Sequence, residues 1–166
     1  MTAHKTLGMK LLEGKRVAYE ARPYPPTTRD AEEVAAAIGA DPMTVYKSLI
    51  VLPPGSSGPL ARPILVMLPA PAQLNLKKLA KAVQVKKVKM ASHQEAEALT
   101  GLQVGGISPL ALLNKGFTMF IDRNARDQEQ IYLSAGERGL QVRVAVNDLL
   151  KIIRAKWVDA AQYNGE

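Results

Sequence analysis

The chain has 166 residues, 47% of them hydrophobic and 22% charged, which suits one globular domain spanning residues 1–166 and excludes a disordered chain. Twenty-two Lys plus Arg stand against 15 Asp plus Glu, a formal charge of +7, which favours a polyanionic partner. There is no cysteine and there are two histidines, so disulfides and a cysteine nucleophile are excluded, and a Ser-His-Asp triad or a zinc site lacks its usual side chains. No metal site and no cofactor are expected. An enzyme of this composition must rely on backbone donors, lysine, hydroxyls, carboxylates or groups that the substrate brings. No apolar run reaches membrane-spanning length and Met1-Thr2-Ala3-His4-Lys5 has no signal-peptide core, so a cytoplasmic protein without membrane contact is expected.

In chain order, the pattern predicts a short helix over Thr6 to Leu12, stopped by Gly14, and a strand over Val17 to Tyr24 that ends at Pro25-Pro26. Asp30 with Glu33 forms a capping box for a helix from Ala31 to Ile38, which Gly39 terminates, and Asp41-Pro42 opens a further helical turn. Two apolar runs, Ser48 to Leu52 and Ile64 to Leu68, read as an antiparallel pair joined by the loop Pro53 to Pro59. Leu74, Leu76, Leu79, Ala80 and Val83 have helical spacing, and Val85 to Met90 alternates like a strand. Ser92 and Glu95 form a second capping box, for a helix to about Leu99. Thr118 to Ile121, Gln130 to Leu133 and Leu140 to Val146 are three more strands. Asn147 is placed to cap a last helix through Ile153, and Trp157 to pack the tail onto the body. Some six strands and five helices in irregular alternation predict an α/β domain with a mixed sheet and helices packed on it.

Three groups of residues carry possible chemistry. Val104-Gly105-Gly106-Ile107-Ser108-Pro109 brings unhindered main-chain donors beside a hydroxyl. It reads either as a tight turn or as a cradle for an anion or a carbonyl oxygen. Lys47 opens an apolar strand, as a surface lysine at a sheet edge or as a fixed charge within a site. Lys77, Lys78, Lys81, Lys86, Lys87 and Lys89 crowd a short span with no acid among them. Such unrelieved charge favours phosphate contact over a plain solvated helix face and edge strand.

Read together, Tyr46-Lys47-Ser48-Leu49, Asn75 to Ala80, Lys86 to Ala91, Val104 to Leu110 and Ser134-Ala135-Gly136-Glu137-Arg138-Gly139-Leu140 stand in a familiar order. Over roughly Thr6 to Val158 the chain resembles the YbaK/ProX family of aminoacyl-tRNA deacylases. Within it the chain looks most like the YbaK branch, which clears cysteine mischarged onto proline tRNA. The resemblance implies a single α/β domain whose mixed sheet curls into a partly open barrel flanked by helices. It also implies editing in trans of the aminoacyl ester, without a cofactor. By the same resemblance, Lys47, Gly105, Gly106 and Ser108 are the catalytic candidates, with Tyr24, Ser48, Pro109 and Ser134 around the substrate. Ser48 stands where the family often has Thr, and Ala135 where Gly is common. The acceptor end of an aminoacylated tRNA is the implied substrate, held at its phosphates by the lysine cluster, and a transient complex with prolyl-tRNA synthetase is the implied partnership. The family also suggests that a cysteinyl substrate's thiol attacks its own ester. Rival readings are the same fold acting on another small group such as Ala-tRNA(Pro), a non-catalytic tRNA- or synthetase-binding module, and a small-molecule binding protein.

Overall fold

The computed structural model describes residues 4–54 and 62–164. Residues 55–59 of the expected loop between the two apolar runs lie outside the described residues. The chain runs α1 (Leu7–Gly14), β1 (Tyr19–Pro23), α2 (Ala31–Ile38), β2 (Tyr46–Leu52), β3 (Ile64–Pro69), β4 (Gln73–Leu74), α3 (Leu76–Ala82), β5 (Lys89–Met90) and α4 (His93–Thr100). It continues through β6 (Thr118–Asp122), β7 (Gln130–Ser134), β8 (Leu140–Ala145), α5 (Val146–Ile153), β9 (Lys156–Val158) and β10 (Ala161–Gln162). Short 3-10 turns lie at Pro42–Thr44, Pro109–Ala111 and Arg123–Asp127.

The strands form a five-stranded sheet in the order β5-β2-β3-β6-β9, a three-stranded sheet β1-β8-β7, and the small pair β10-β4. β2 and β3 are antiparallel as the two apolar runs predict, whereas β3-β6 and β6-β9 are parallel. A parallel bridge between Val45 and Tyr132 links the two larger sheets. This is the mixed, helix-flanked α/β arrangement expected; its sheets stay open, and the described strands close no barrel.

Side-chain alternation explains the layering. On β3, Leu65 and Met67 enter a core shared with Ile131, Leu133, Val142 and Leu149, so one face of the large sheet packs against the small sheet and α5. Ile64, Val66 and Leu68 point the other way, onto Leu79 and Ala80 of α3. Every residue of β3 is buried, as befits a strand covered on both faces. A third cluster joins Val34, Ala35 and Ile38 of α2 to Tyr24, Val45 and Tyr132.

Where the structure departs from the sequence reading, backbone hydrogen bonds give the reason. β1 starts at Tyr19, because the Val17 N–H donates to the Leu12 carbonyl at 2.9 Å and closes the end of α1. β5 is only Lys89–Met90, because the Val85 N–H donates to Ala80 O at 3.0 Å and Gln84 turns at φ 60 to end α3. Asn147 does not cap α5. The helix begins at Val146, whose N–H donates to Glu129 O at 2.9 Å, with no side-chain cap. Leu74, read as part of the helical pattern, instead pairs with Ala161 of the tail, next to the Gln73–Gln162 pair. Trp157 does return the tail to the body, by way of β9 beside β6, with the Arg126 guanidinium 4.9 Å from its ring centroid.

Three loops interlock at one end of the sheets. The Gly106 N–H donates to Gln103 O at 2.8 Å, which closes the glycine turn. The turn then lies so close to the next loop that a Cβ on Gly106 would stand 2.8 Å from Arg138 N and 2.9 Å from both Glu137 Cα and C. A Cβ on Gly139, at φ +93, would stand 3.3 Å from Pro26 Cβ, and the Gly139 carbonyl accepts from Tyr24 N at 2.9 Å. Loops 24–28, 103–107 and 135–139 therefore hold one another. Gly106→Ala is expected to lower the stability to unfolding in urea by about 1–3 kcal/mol, the usual cost of forcing atoms into a packed site. An unchanged urea midpoint would mean that the contact is not a constraint.

Candidate active site

Loops 24–28 and 103–107 line a cavity of about 210 Å³ together with β2, the start of α2, and Ser134 and Gln141 of β7 and β8. Lys47 enters it from β2. Tyr46, its neighbour, is buried in the main core, and strand alternation turns Lys47 to the opposite face. The Lys47 Nζ donates to the Ala70 carbonyl at 3.0 Å. No carboxylate lies within ion-pair distance of it among the described residues. Burial pushes its pKa below that of an ordinary lysine, and the more distant carboxylates of Glu32 and Asp30 partly restore it. Asp30 lines the cavity while its Oδ1 accepts from Glu33 N at 2.9 Å, so the cap of α2 is also part of the wall.

Of the residues that the resemblance implies, Tyr24, Lys47, Ser48, Gly105 and Ser134 all line this cavity. Gly105 sits at φ +94, a conformation suited to glycine, and its N–H has no partner among the described residues. Ser134 is buried, with its Oγ accepting from Gly136 N at 3.0 Å. Gly106, Ser108 and Pro109 lie behind the lining. Gly106 N–H is committed to the turn. Ser108 is fully buried, and its Oγ accepts from Leu110 N at 3.2 Å, capping the 3-10 turn that begins at buried Pro109. Lys77, Lys78, Lys81, Lys86, Lys87 and Lys89 do not line the cavity. All six are exposed, three on α3 and three on the way to and in β5; among the described residues Lys78 alone has a carboxylate within ion-pair distance, Asp159 at 3.6 Å, while Lys89 acts on Glu95 at longer range.

Four polar lining residues, Thr28, Arg29, Asp30 and Gln141, escaped the sequence reading as site residues. Gln141 is buried and faces Ser134 across the β7-β8 ladder, and its Oε1 has no hydrogen-bond partner. Its single strand holds no signal for this; the pairing register with Ser134 does. The cavity thus combines a half-buried cation and an unengaged N–H, which suit a carbonyl or phosphate oxygen, with an unengaged amide oxygen, which suits an N–H donor. Low solvent access strengthens the interactions of Lys47 and Gln141, whereas Gly105 is exposed.

The depressed pKa of Lys47 has a measurable sign. Below its folded pKa, the unfolded state binds the proton more tightly, so the buried charge opposes folding; that opposition fades as pH rises towards 10.5. Carbon-13 NMR of reductively methylated protein is expected to show one lysine titrating below the rest, absent in Lys47→Met. The stability of wild type relative to Lys47→Met is expected to rise with pH across the same window. A Lys47 signal that titrates with the exposed lysines would contradict the burial.

The profile of the aminoacyl-tRNA editing domain family matches residues 25–152. A candidate Cys-tRNA(Pro)/Cys-tRNA(Cys) deacylase, EbsC of Enterococcus faecalis, is 31% identical over 160 residues, 95% of this chain and 94% of that protein. Among solved structures, the hypothetical protein APE2540 superposes with a TM-score of 0.82 at 22% identity, covering 95% of this chain and all of that one. A candidate trans-editing enzyme for prolyl-tRNA synthetase superposes with a TM-score of 0.78 at 21% identity, covering 96% of this chain and 99% of the other. At those identities the structural matches speak for the fold, while the family profile runs from Pro25 to Ile152 in α5 and takes in every lining residue of the cavity but Tyr24. The chain belongs to the aminoacyl-tRNA editing domain family.

Proposed function

We propose that this protein is a trans-editing deacylase that removes cysteine from mischarged tRNA, Cys-tRNA(Pro) above all and Cys-tRNA(Cys) as well. Family membership and the cysteinyl substrates in the name of the Enterococcus relative support the reading. The observation that carries it is the Lys47 cation, held in a cavity that Gly105, whose N–H is unengaged among the described residues, also lines. An aminoacyl ester is an activated bond, so positioning and charge stabilisation do most of the work required. Lys47 and the Gly105 N–H polarise the ester carbonyl. Gly106 and Ser108 act on the loop backbone, the first by letting it pack against Arg138 N and the second by capping the turn that follows. Ser134 and Gln141 accept from the substrate's amino group, while Tyr24, Ser48 and the backbone that Pro109 directs shape the remaining wall.

The cavity lining contains no cysteine or histidine, which fits a nucleophile supplied by the substrate. In that route the cysteinyl sulfur attacks its own ester carbonyl. A C–S bond forms, the C–O ester bond breaks, and the thiol proton passes to the departing ribose oxygen. The products are tRNA with a free terminal hydroxyl and a cyclic thiolactone that water later opens, so the first step is a lyase-type cleavage rather than hydrolysis.

The exposed lysines of α3 and β5 would hold the acceptor stem by its phosphates, without reading sequence. Selection of one tRNA then falls to a transient complex with prolyl-tRNA synthetase. No helix among the described residues is long and apolar enough to cross a membrane. The proposed substrate places the protein in the cytoplasm.

With Cys-, Ser- and Ala-charged tRNA(Pro), rapid cleavage of the cysteinyl ester alone is expected, and Lys47→Ala should reduce it about 100-fold or more, the scale for losing an oxyanion-stabilising group. Equal rates on all three esters would remove the thiol route, preferential cleavage of the alanyl ester would reassign the cargo, and full activity in Lys47→Ala would remove the central residue. In a filter-binding assay, the triple change of Lys77, Lys78 and Lys81 to Ala should weaken tRNA binding and flatten the slope of log K against log salt by about 2–3, close to one per lost phosphate contact. An unchanged slope would place the tRNA elsewhere.

A further inference from the structure

Arg138 belongs to none of the roles above, yet it stands where the three loops meet. Its side chain lies over Gly105: a Cβ there would be 3.4 Å from Arg138 Nε and 3.5 Å from Cγ. One Nη2 donates to Thr28 O at 3.3 Å, and Thr28 lines the cavity. The guanidinium therefore bridges two segments of the cavity's lip. It is exposed, and among the described residues it has no carboxylate partner. Its neighbour Glu137 is taken by His4 at 2.7 Å. The other arginine at this mouth, Arg29, is engaged by Glu33 at 3.1 Å. Arg138 is left with a planar fork of donors of which a single one is used, the geometry that suits phosphate oxygens in pairs.

We propose that Arg138 clamps the phosphodiester on the 5′ side of the terminal adenosine, fastening the substrate at the cavity's lip while Lys47 works inside. The inference rests on the reading of the cavity as the seat of the aminoacyl ester. With the ester at Lys47 and Gly105, the ribose lies at the mouth and its 5′ oxygen faces outward. The next charged group along the nucleic acid is that phosphate, and the next free cation at the lip is Arg138. The contact reads no base, so it serves every tRNA with the common acceptor end.

Adenosine and adenosine 5′-monophosphate differ by this phosphate, so their competition against binding of uncharged tRNA to the wild-type protein isolates it. The monophosphate is expected to compete at least tenfold better, and inorganic phosphate alone to compete weakly. Arg138→Met should bring adenosine and its monophosphate within about twofold. On charged tRNA the same variant should raise KM about tenfold, with little of the loss in kcat. Equal competition by adenosine and its monophosphate in wild type overturns the proposal, whether or not the variant folds. So does a preference that survives in Arg138→Met, or a loss confined to kcat, which would mark Arg138 as a support for the Gly105 loop. If wild type cleaves no charged tRNA, the deacylase reading fails, and the comparison of adenosine with its monophosphate still decides the phosphate contact.

Discussion

Everything at the cavity end of this molecule depends on two backbones approaching closer than any side chain allows. Gly106 rests on the main chain of Glu137 and Arg138 at a distance that a methyl group would occupy. That contact sets where the Gly105 N–H stands, and it brings the Arg138 side chain over the same loop. It also joins segments that come from distant parts of the sequence, so the cavity wall is assembled only when the whole domain has folded. The buried faces of β3, packed on both sides, supply the rigid floor against which the loops close.

Lys47 shows how secondary structure tunes chemistry. Strand alternation sends Tyr46 into the core and Lys47 to the cavity, while the Ala70 carbonyl fixes the ammonium without neutralising it. A carboxylate at hydrogen-bond distance would have stabilised the lysine and cancelled its field. Glu32 and Asp30 are near enough to moderate its pKa, and they form no ion pair with it. The charge remains available to a ligand, at some cost to the fold, as is common for groups at functional sites.

Much of this was legible in the sequence, and what was not has a physical cause. Capping residues such as Asp30 and Ser92 announce their helices because the cap is local chemistry. β2 and β3 are plain because continuous apolar runs leave few alternatives. The shortened β1 and β5 were hidden because Val17 and Val85 direct their N–H groups back to the preceding helix, a choice that side-chain patterning does not encode. In the cavity, the Gly105 turn and Lys47 stood out as possible chemistry from the residues alone, and the family resemblance favoured that reading over a plain turn and a surface lysine; both line the cavity. Gln141 was missed because its importance lies in its ladder pairing with Ser134, a non-local fact. The six-residue glycine motif separates in the same way: its first glycine faces the cavity, whereas Gly106, Ser108 and Pro109 hold the turn in shape.

The commitment of the Gly106 N–H to Gln103 O has a consequence for safety in the cell. A peptidase gathers several donors and an activated nucleophile around the carbonyl, because an amide resists attack far more than an ester does. Here one glycine donor is sealed within its own turn, and the lining offers no thiol or imidazole. On the proposed reaction, such a site is weak by construction. Weakness protects the nascent chains and folded proteins among which an editing enzyme must work, since their amide bonds lie beyond its reach while a labile ester does not.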